Sequence, residues 1–468
     1  MAGNYKNKEE AKEILSRFEE MLRREKAYFF DLDTYEYIIN HFSELGKFKK
    51  AMAACEMAME QYPFSLDLLQ EKAQLLAKTQ KYEEALELID QTLNLQPNDI
   101  DLLFLKGSIQ SLIGDFKGSI STLSYIVDFA EEKEEIYYHI GLAYQSLQDF
   151  DEAIIYYKKA LEENLEYENA LYELAYCLDI KGELESSLSY YQKFIDNDPY
   201  SSNAWYNIGI IYNKLERFDE AINAYEYATL IDEKFSSAYF NMGNSFMSVL
   251  RYPEALKNYQ TTLKLEDENA EIHCAIGTCY EKMEQYDQAI RHYKKASKLD
   301  PNYEESWFGI GICLDAKEKW FEAIHFFNKA LKLDPDNPDY WLAIADAEYK
   351  TGNIISSLEA YEEANLLDPV NSEIYLNWSY ILFEQGEYEK AIGLIKSGID
   401  ELPEDSTMYY RLTAYLILSG KYKEAFNYLE NALILNFDNH TSLFEFFPKL
   451  ETQKALYKII EQYRKKKP

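Results

Sequence analysis

A spacing of 34 residues recurs along this chain without an insertion or a deletion. Pro63, Pro97, Pro199, Pro301, Pro335, Pro369 and Pro403 all lie 34 residues, or a multiple of 34, apart. Counting back from them gives twelve registers, which start at Leu32, Leu66, Ile100, Glu134, Glu168, Ser202, Ser236, Ala270, Glu304, Pro338, Ser372 and Ser406. A constant period between about 20 and 50 residues marks a solenoid, in which each unit buries its apolar face only against its neighbours.

Small residues fall at two fixed places in the register. The eighth position reads Ile39, Ala73, Gly107, Gly141, Ala175, Gly209, Gly243, Gly277, Gly311, Ala345, Ser379, Thr413. The twentieth is Ala, or Ser at Ser119, Ser187 and Ser357. Large apolar residues surround them at spacings of three and four, as in Tyr137, Ile140 and Tyr144, then Ala153, Tyr157 and Ala160. The polar stretch between these two groups makes the pattern two amphipathic helices in a hairpin. Glycine inside a helix costs about 1 kcal/mol against alanine, so its recurrence needs a packing reason. Close approach of the paired helices supplies one, with the two small residues, such as Gly209 and Ala221, expected to face each other. A proline then closes the second helix, often as Asp-Pro.

These residues resemble the tetratricopeptide repeat (TPR) family. The register at Ser202 carries Trp205, Ile208, Gly209, Tyr212, Ala221, Tyr225 and Ala228; that at Ala270 carries Ile276, Gly277, Tyr280, Ala289, Tyr293, Ala296 and Pro301. The resemblance implies an all-α fold, an α-solenoid forming a right-handed superhelix of twelve helix-turn-helix repeats over residues 32–439. Residues 1–31 read as an N-terminal capping helix, with Ile14, Leu15, Phe18, Met21 and Leu22 on one face. Residues 440–468 read as a C-terminal capping helix with a basic tail, Arg464 to Lys467. Ile39, Ile126 and Phe194 replace small residues, and Glu131, Leu165, Glu233, Asp267 and Phe437 replace the proline. Looser or re-angled packing is expected there.

Composition narrows the function. The formal charge is −34; residues 1–31 sum to 0 and residues 440–468 to +4, so the twelve repeats carry −38. Nucleic-acid binding rests on neutralising phosphates with Lys and Arg, so such a body repels a polyanion and no nucleic-acid partner is expected. There is no early apolar run of the secretory kind and no apolar stretch long enough to span a membrane. The five cysteines are unevenly spaced, and Cys177, Cys279 and Cys313 share the tenth position, which indicates helix packing in a reducing cytoplasm. No phosphate loop, dinucleotide fingerprint, HExxH or GxSxG is present, so neither catalysis nor a cofactor is expected. His273, Cys274 and Cys279 are close in sequence but lack a second metal-spaced pair, and core packing is the expectation over zinc. His292 and His325 have no nucleophile in register.

What remains is a surface. The resemblance implies that the second, fifth, ninth and twelfth positions of the first helices face a groove. The fifth reads Phe104, Tyr138, Tyr172, Tyr206 and Phe240 in consecutive repeats, then Cys274 and Phe308. Tyr176 and the amides Asn203, Asn207, Asn213, Asn241 and Asn244 stand around them. Aromatic rings give contact area at low entropic cost, and amides can bond a peptide backbone. The expected function is a protein–protein interaction scaffold or adaptor that holds an extended peptide or partner protein, neutral or basic, along this groove. A regulatory sensor and an accessory subunit of a separate enzyme are the competing classes. A grip on a terminal carboxylate would need Lys and Arg in the groove, and the third to seventh repeats offer only Lys214 beside it.

Overall fold

The structure, a computed structural model, describes residues 8–23, 26–452 and 454–464; Lys465, Lys466 and Lys467 of the basic run lie outside the described residues. The described residues are helical throughout, without strands, and divide into two compact units at Arg217/Phe218.

The first unit begins with α1 (Lys8–Leu22). Five helical hairpins follow: α2/α3 (Leu32–Glu44, Phe48–Gln61), α4/α5 (Leu66–Lys78, Tyr82–Leu93), α6/α7 (Ile100–Leu112, Phe116–Ile126), α8/α9 (Glu134–Ser146, Phe150–Glu163) and α10/α11 (Glu168–Ile180, Glu185–Asn197). The unit ends with α12 (Ser202–Lys214).

The second unit opens with α13 (Phe218–Ile231). Its six hairpins are α14/α15 (Ser236–Ser248, Tyr252–Leu265), α16/α17 (Ala270–Lys282, Tyr286–Leu299), α18/α19 (Glu304–Ala316, Trp320–Leu333), α20/α21 (Pro338–Thr351, Ile354–Leu367), α22/α23 (Ser372–Glu384, Tyr388–Glu401) and α24/α25 (Ser406–Leu418, Tyr422–Leu435). A 3₁₀ turn at Phe437–Thr441, the short α26 (Ser442–Phe446), a second 3₁₀ turn and α27 (Lys454–Arg464) complete it.

Every first helix starts on the residue that the 34-residue register names. Local chemistry explains much of this. Asp31, Ser65, Asp99, Ser201, Asn269, Asn337, Asn371 and Asp405 stand just before eight of these helices, and each side chain accepts a backbone N–H of the first turn. The repeat-end prolines have a second use. The carbonyls of Pro199, Pro301 and Pro335 accept the indole N–H of Trp205, Trp307 and Trp341 at 3.0–3.1 Å. Those of Pro369 and Pro403 accept the hydroxyls of Tyr375 and Tyr409. The proline is not needed to stop the helix, since α9, α15 and α25 end at the same register position without it.

The small eighth residue makes room for something other than the expected small partner. A methyl on Gly141 would lie 2.5 Å from the Tyr157 ring; the figures are 2.6 Å for Gly243 against Tyr259 and 2.8 Å for Gly277 against Tyr293. In these hairpins the ring sixteen positions on occupies the space a side chain would need. The small twentieth residue meets the same stretch of backbone from the side, where Ser357 Oγ donates to the Ala345 carbonyl at 2.8 Å. Ile39 then ceases to be an anomaly, because its register partner is Cys55, and both are fully buried. The large and the small residue have exchanged places in this hairpin. Phe194 is likewise buried. The backbone responds at two of these places: α7 stops at Ile126 after 11 residues, where most second helices have 14, and α11, which carries Phe194, starts one position late and packs far more sparsely against α10 than the helices of the other hairpins do.

All twelve inter-helix turns place their fifteenth residue at positive φ. Six are glycines, and Gln80, Gln148, Glu216, Leu250, Glu284 and Glu318 hold φ of 57–61°. A side chain in the left-handed region costs about 1–2 kcal/mol, part of which is returned by a stiffer unfolded chain. Leu250 is 70% exposed, so little burial is lost with its side chain. Leu250→Gly should therefore raise stability by about 0.5–1 kcal/mol, read as an upward shift of the urea midpoint at unchanged slope.

At the chain's start, α1 lays Phe18, fully buried, against Phe42 with ring centroids 5.6 Å apart, and Glu19 pairs with Lys50. All five cysteines are buried, and burial pushes the thiols of Cys177, Cys279 and Cys313 up to about 12. No described helix is long and apolar enough to cross a membrane.

Candidate functional site

The fifth-position residues sit on the first helices of both units, and each unit is described by itself. In the first unit Phe104 lies in a cleft of about 510 Å³. Its walls carry Asp99, Asp101, Glu131, Glu132 and Glu135, and it opens beside Ala130, where α7 has stopped early and the chain continues through a turn. One end of this cleft is thus made by the departure at Ile126 and Glu131. The Phe104 ring meets His139 edge-on at 5.1 Å, and burial holds that imidazole's pKa below its ordinary value.

Two repeats on, Tyr172 and Tyr176 line a cleft of about 240 Å³ with Ala175, Asp179, Leu184, Asn207, Ile210 and Lys214. These two tyrosines are 55% and 47% exposed, against a core in which the register's large tyrosines are sealed. Lys214 is not a free cation, because its ammonium pairs with Asp179. Tyr138 is half-buried and meets Tyr157 and Tyr167 at 6.0 and 5.3 Å, so it serves aromatic packing within the unit. Tyr206 and Asn213 are half-buried, and Asn203 is exposed.

The second unit carries Phe240 against Tyr259 at 5.4 Å, with Asn241 half-buried and Asn244 exposed. Phe308 stacks near Tyr340 at 4.7 Å and lines a cleft of about 270 Å³ with Ile312, Asp315, Leu342, Asp346 and Lys350. Lys350 bridges to Asp315 at 2.6 Å.

One feature of these clefts was invisible in the residue pattern. The buried register tyrosines end in hydroxyls that reach the ninth and twelfth positions of the first helices. Tyr157 donates to Gln145 at 2.5 Å, Tyr259 to Asn244 at 2.6 Å and Tyr293 to Glu281 at 2.7 Å. Tyr361 donates to Asp346, while Tyr191 departs from the rule and bonds Asn207, at the sixth position of the following first helix. Asn207 and Asn244, expected as ligands for a peptide backbone, are thus engaged by the protein's own phenols. The signal that could have found this is the tyrosine recurring sixteen residues after the small position, always with a polar side chain at the ninth or twelfth.

The histidines noted in the sequence form a pair. His273 is fully buried, and its Nδ1 lies 3.2 Å from Nδ1 of His292. Its Nε2 faces a carboxylate oxygen of Glu268 at 3.5 Å. The rings occupy the places of Tyr137–Tyr156, Trp307–Phe326 and Tyr409–Tyr428, whose centroids lie 6.1–6.2 Å apart. The pair is a variant of a recurring aromatic contact. Among the described residues no group of three or more His, Cys, Asp or Glu is arranged to hold a metal ion.

Models of the tetratricopeptide repeat family match residues 134–167, 202–235 and 270–303, residues 168–201, residues 304–337, and the longer spans 43–109 and 342–406. Together they cover more than half of the chain. No curated protein matches it. Among solved structures, YrrB, described as a TPR protein with an unusual peptide-binding site, is 23% identical over 39% of this chain and 95% of its own, with a TM-score of 0.33. The Cut9–Hcn1 hetero-tetramer of the APC/C aligns over 88% of this chain and 98% of the matched chain at 15% identity and a TM-score of 0.41. PilF of Pseudomonas aeruginosa aligns over 44% and 93% at 19% identity and a TM-score of 0.39.

Proposed function

The chain belongs to the tetratricopeptide repeat family, and from that premise we propose that it is a scaffold whose first-helix face grips an extended, basic or neutral polypeptide segment. The coarser part, a protein–protein interaction scaffold, is what a fold of this family supplies. The finer part rests on one observation above others: Tyr172 and Tyr176 remain half exposed in a cleft, whereas the second-helix tyrosines Tyr157, Tyr191, Tyr225 and Tyr259 are sealed in the core. Exposed rings beside a recess are the usual anchors of an interface. The acidic walls around Phe104 add a field that attracts basic segments. In this reading residues 1–31 and 440–468 cover the ends of the array, and the chain itself performs no reaction.

The test is capture. Partners pulled down from the native host by the intact chain should be held at least tenfold more weakly by Tyr172→Ala with Tyr206→Ala, since anchors of this kind contribute about 2 kcal/mol or more each. Glu131→Gln with Glu135→Gln should instead slow association and flatten its salt dependence. Undiminished capture by a folded double-alanine chain would refute the groove.

A further inference from the structure

On the last two hairpins the first-helix face is covered by a later segment of the chain. Leu376, Thr407, Tyr410 and Ala414 stand at the second, fifth and ninth positions of α22 and α24, the positions that form the groove in the reading above. Here they line a small pocket closed by Ser442, Leu443, Phe446 and Phe447 of α26 and its end. Phe383, at a twelfth position, meets the Phe447 ring at 5.9 Å, and Tyr415 meets it at 5.8 Å. Leu443 is 2% exposed beneath them.

Arg411 lies at the centre. It is 4% exposed, and its guanidinium sits 3.7 Å from the centroid of the Phe446 ring. Its Nη1 donates to the Leu376 carbonyl at 3.2 Å and to the Tyr415 hydroxyl at 3.5 Å. Among the described residues no carboxylate pairs with it, so an aromatic face does the work that an acid ordinarily does for a buried cation. The arrangement is secured at its root, where Tyr410 donates to the Asn436 carbonyl at 2.8 Å and Asn439 reaches Ser406 Oγ. At its tip it is open: α26 has five residues, and Phe446 is 53% exposed.

The geometry points to an intramolecular ligand. Residues 437–449 occupy a binding surface of the second unit, and the partner that this surface fits is a short helical turn ending in two adjacent aromatic residues, which must displace Phe446 and Phe447 to enter. The occupant's chemistry is read from the segment now seated there. Tethering raises the effective concentration of that segment to the millimolar range, so a free competitor meets a surface that is closed by default. The inference rests on the groove reading of this fold, but on different hairpins from Tyr172 and Tyr206, and the two can fail separately.

The experiment uses the full-length chain and a fluorescein-labelled peptide of residues 437–449. Leu443→Asp with Phe447→Asp should release the resident segment, and the released chain should bind the peptide at least tenfold more tightly than the wild type. The milder pair Phe446→Ala with Phe447→Ala, checked by circular dichroism, gives a second route should the first variant lose its fold. Arg411→Met in the released chain should weaken the peptide several-fold, as should alanines at the two phenylalanines of the peptide. Equal binding by wild-type and released chains would show that the segment covers nothing. No binding by a folded released chain would reduce residues 437–449 to part of the array's end. Either result overturns the proposal, and neither touches the outcome of the Tyr172 and Tyr206 test.

Discussion

Gly141→Leu should cost about 3 kcal/mol or leave α8/α9 unfolded, and Gly141→Ala should cost far less. The glycine backbone is the floor on which the fully buried Tyr157 ring lies, and a single methyl there already falls 2.5 Å from that ring. Ala345 shows that a methyl can be tolerated at this position beside the equivalent Tyr361, both of them buried. A branched side chain cannot be, because Tyr157 is held from its far end by the bond to Gln145. The decisive experiment borrows the first hairpin's solution. Gly141→Ile with Tyr157→Cys recreates the Ile39–Cys55 pair, so the double variant should be more stable than the sum of the single losses implies, by about 1–3 kcal/mol of coupling. Thermal or urea unfolding of the four chains in this cycle measures it, and additive losses would show that the two positions do not share one space.

The second large effect is on pH. Burial first, and then the neighbouring His273 and Lys295, push the His292 imidazole down to about 4, while His273 is pushed down chiefly by its own burial, with Glu268 acting against it. The unfolded chain titrates both near the ordinary value of about 6.5. Above that pH both rings are neutral in either state, and the hairpin keeps its full stability. As pH falls from about 6.5 towards 4, the unfolded chain takes up protons that the folded pair resists, so stability is lost in that window. For His292 the loss should reach about 2 kcal/mol, allowing for its partial exposure. His273→Trp with His292→Phe installs the Trp307–Phe326 pair of the next hairpin at these positions. That variant should unfold at the same temperature as the wild type or higher at pH 7.5, and the gap should widen in its favour by pH 5. Parallel melting curves at the two pH values would remove the imidazole pair as the cause.

How much of this was legible follows from what kind of information a repeat pattern carries. Helix starts were readable because capping residues, prolines and apolar spacing all act within a few residues of each other. The small eighth position was also readable, but not what fills the space it leaves. That depends on the partner helix's rotation, and the register shows only that something must approach closely. The ring sixteen residues on is explained only when both helices are placed. The left-handed fifteenth position escaped notice because half of its occupants are not glycine, and in those repeats the hairpin imposes the backbone on an unwilling residue. In the clefts, position predicted which aromatics belong to the first-helix face, yet exposure separated Tyr172 and Tyr176 from Tyr138. With 42 tyrosines in the chain, identity alone could not. The engagement of Asn207 and Asn244 by buried phenols was hidden for the same reason as the ring: it crosses between helices.

The ties from proline carbonyls to Trp or Tyr are unevenly distributed, and this has a mechanical consequence. Four consecutive junctions carry them, from Pro301–Trp307 through Pro335–Trp341 and Pro369–Tyr375 to Pro403–Tyr409. The junctions before α8, α10, α14 and α16 have Glu131, Leu165, Glu233 and Asp267 where the proline would stand. Each tie is worth about 1 kcal/mol and pins the loop that enters a hairpin onto that hairpin's own first helix. Over residues 301–409 the angle at which the chain enters each hairpin is therefore held by a side chain six residues on, and not by the backbone of the turn alone.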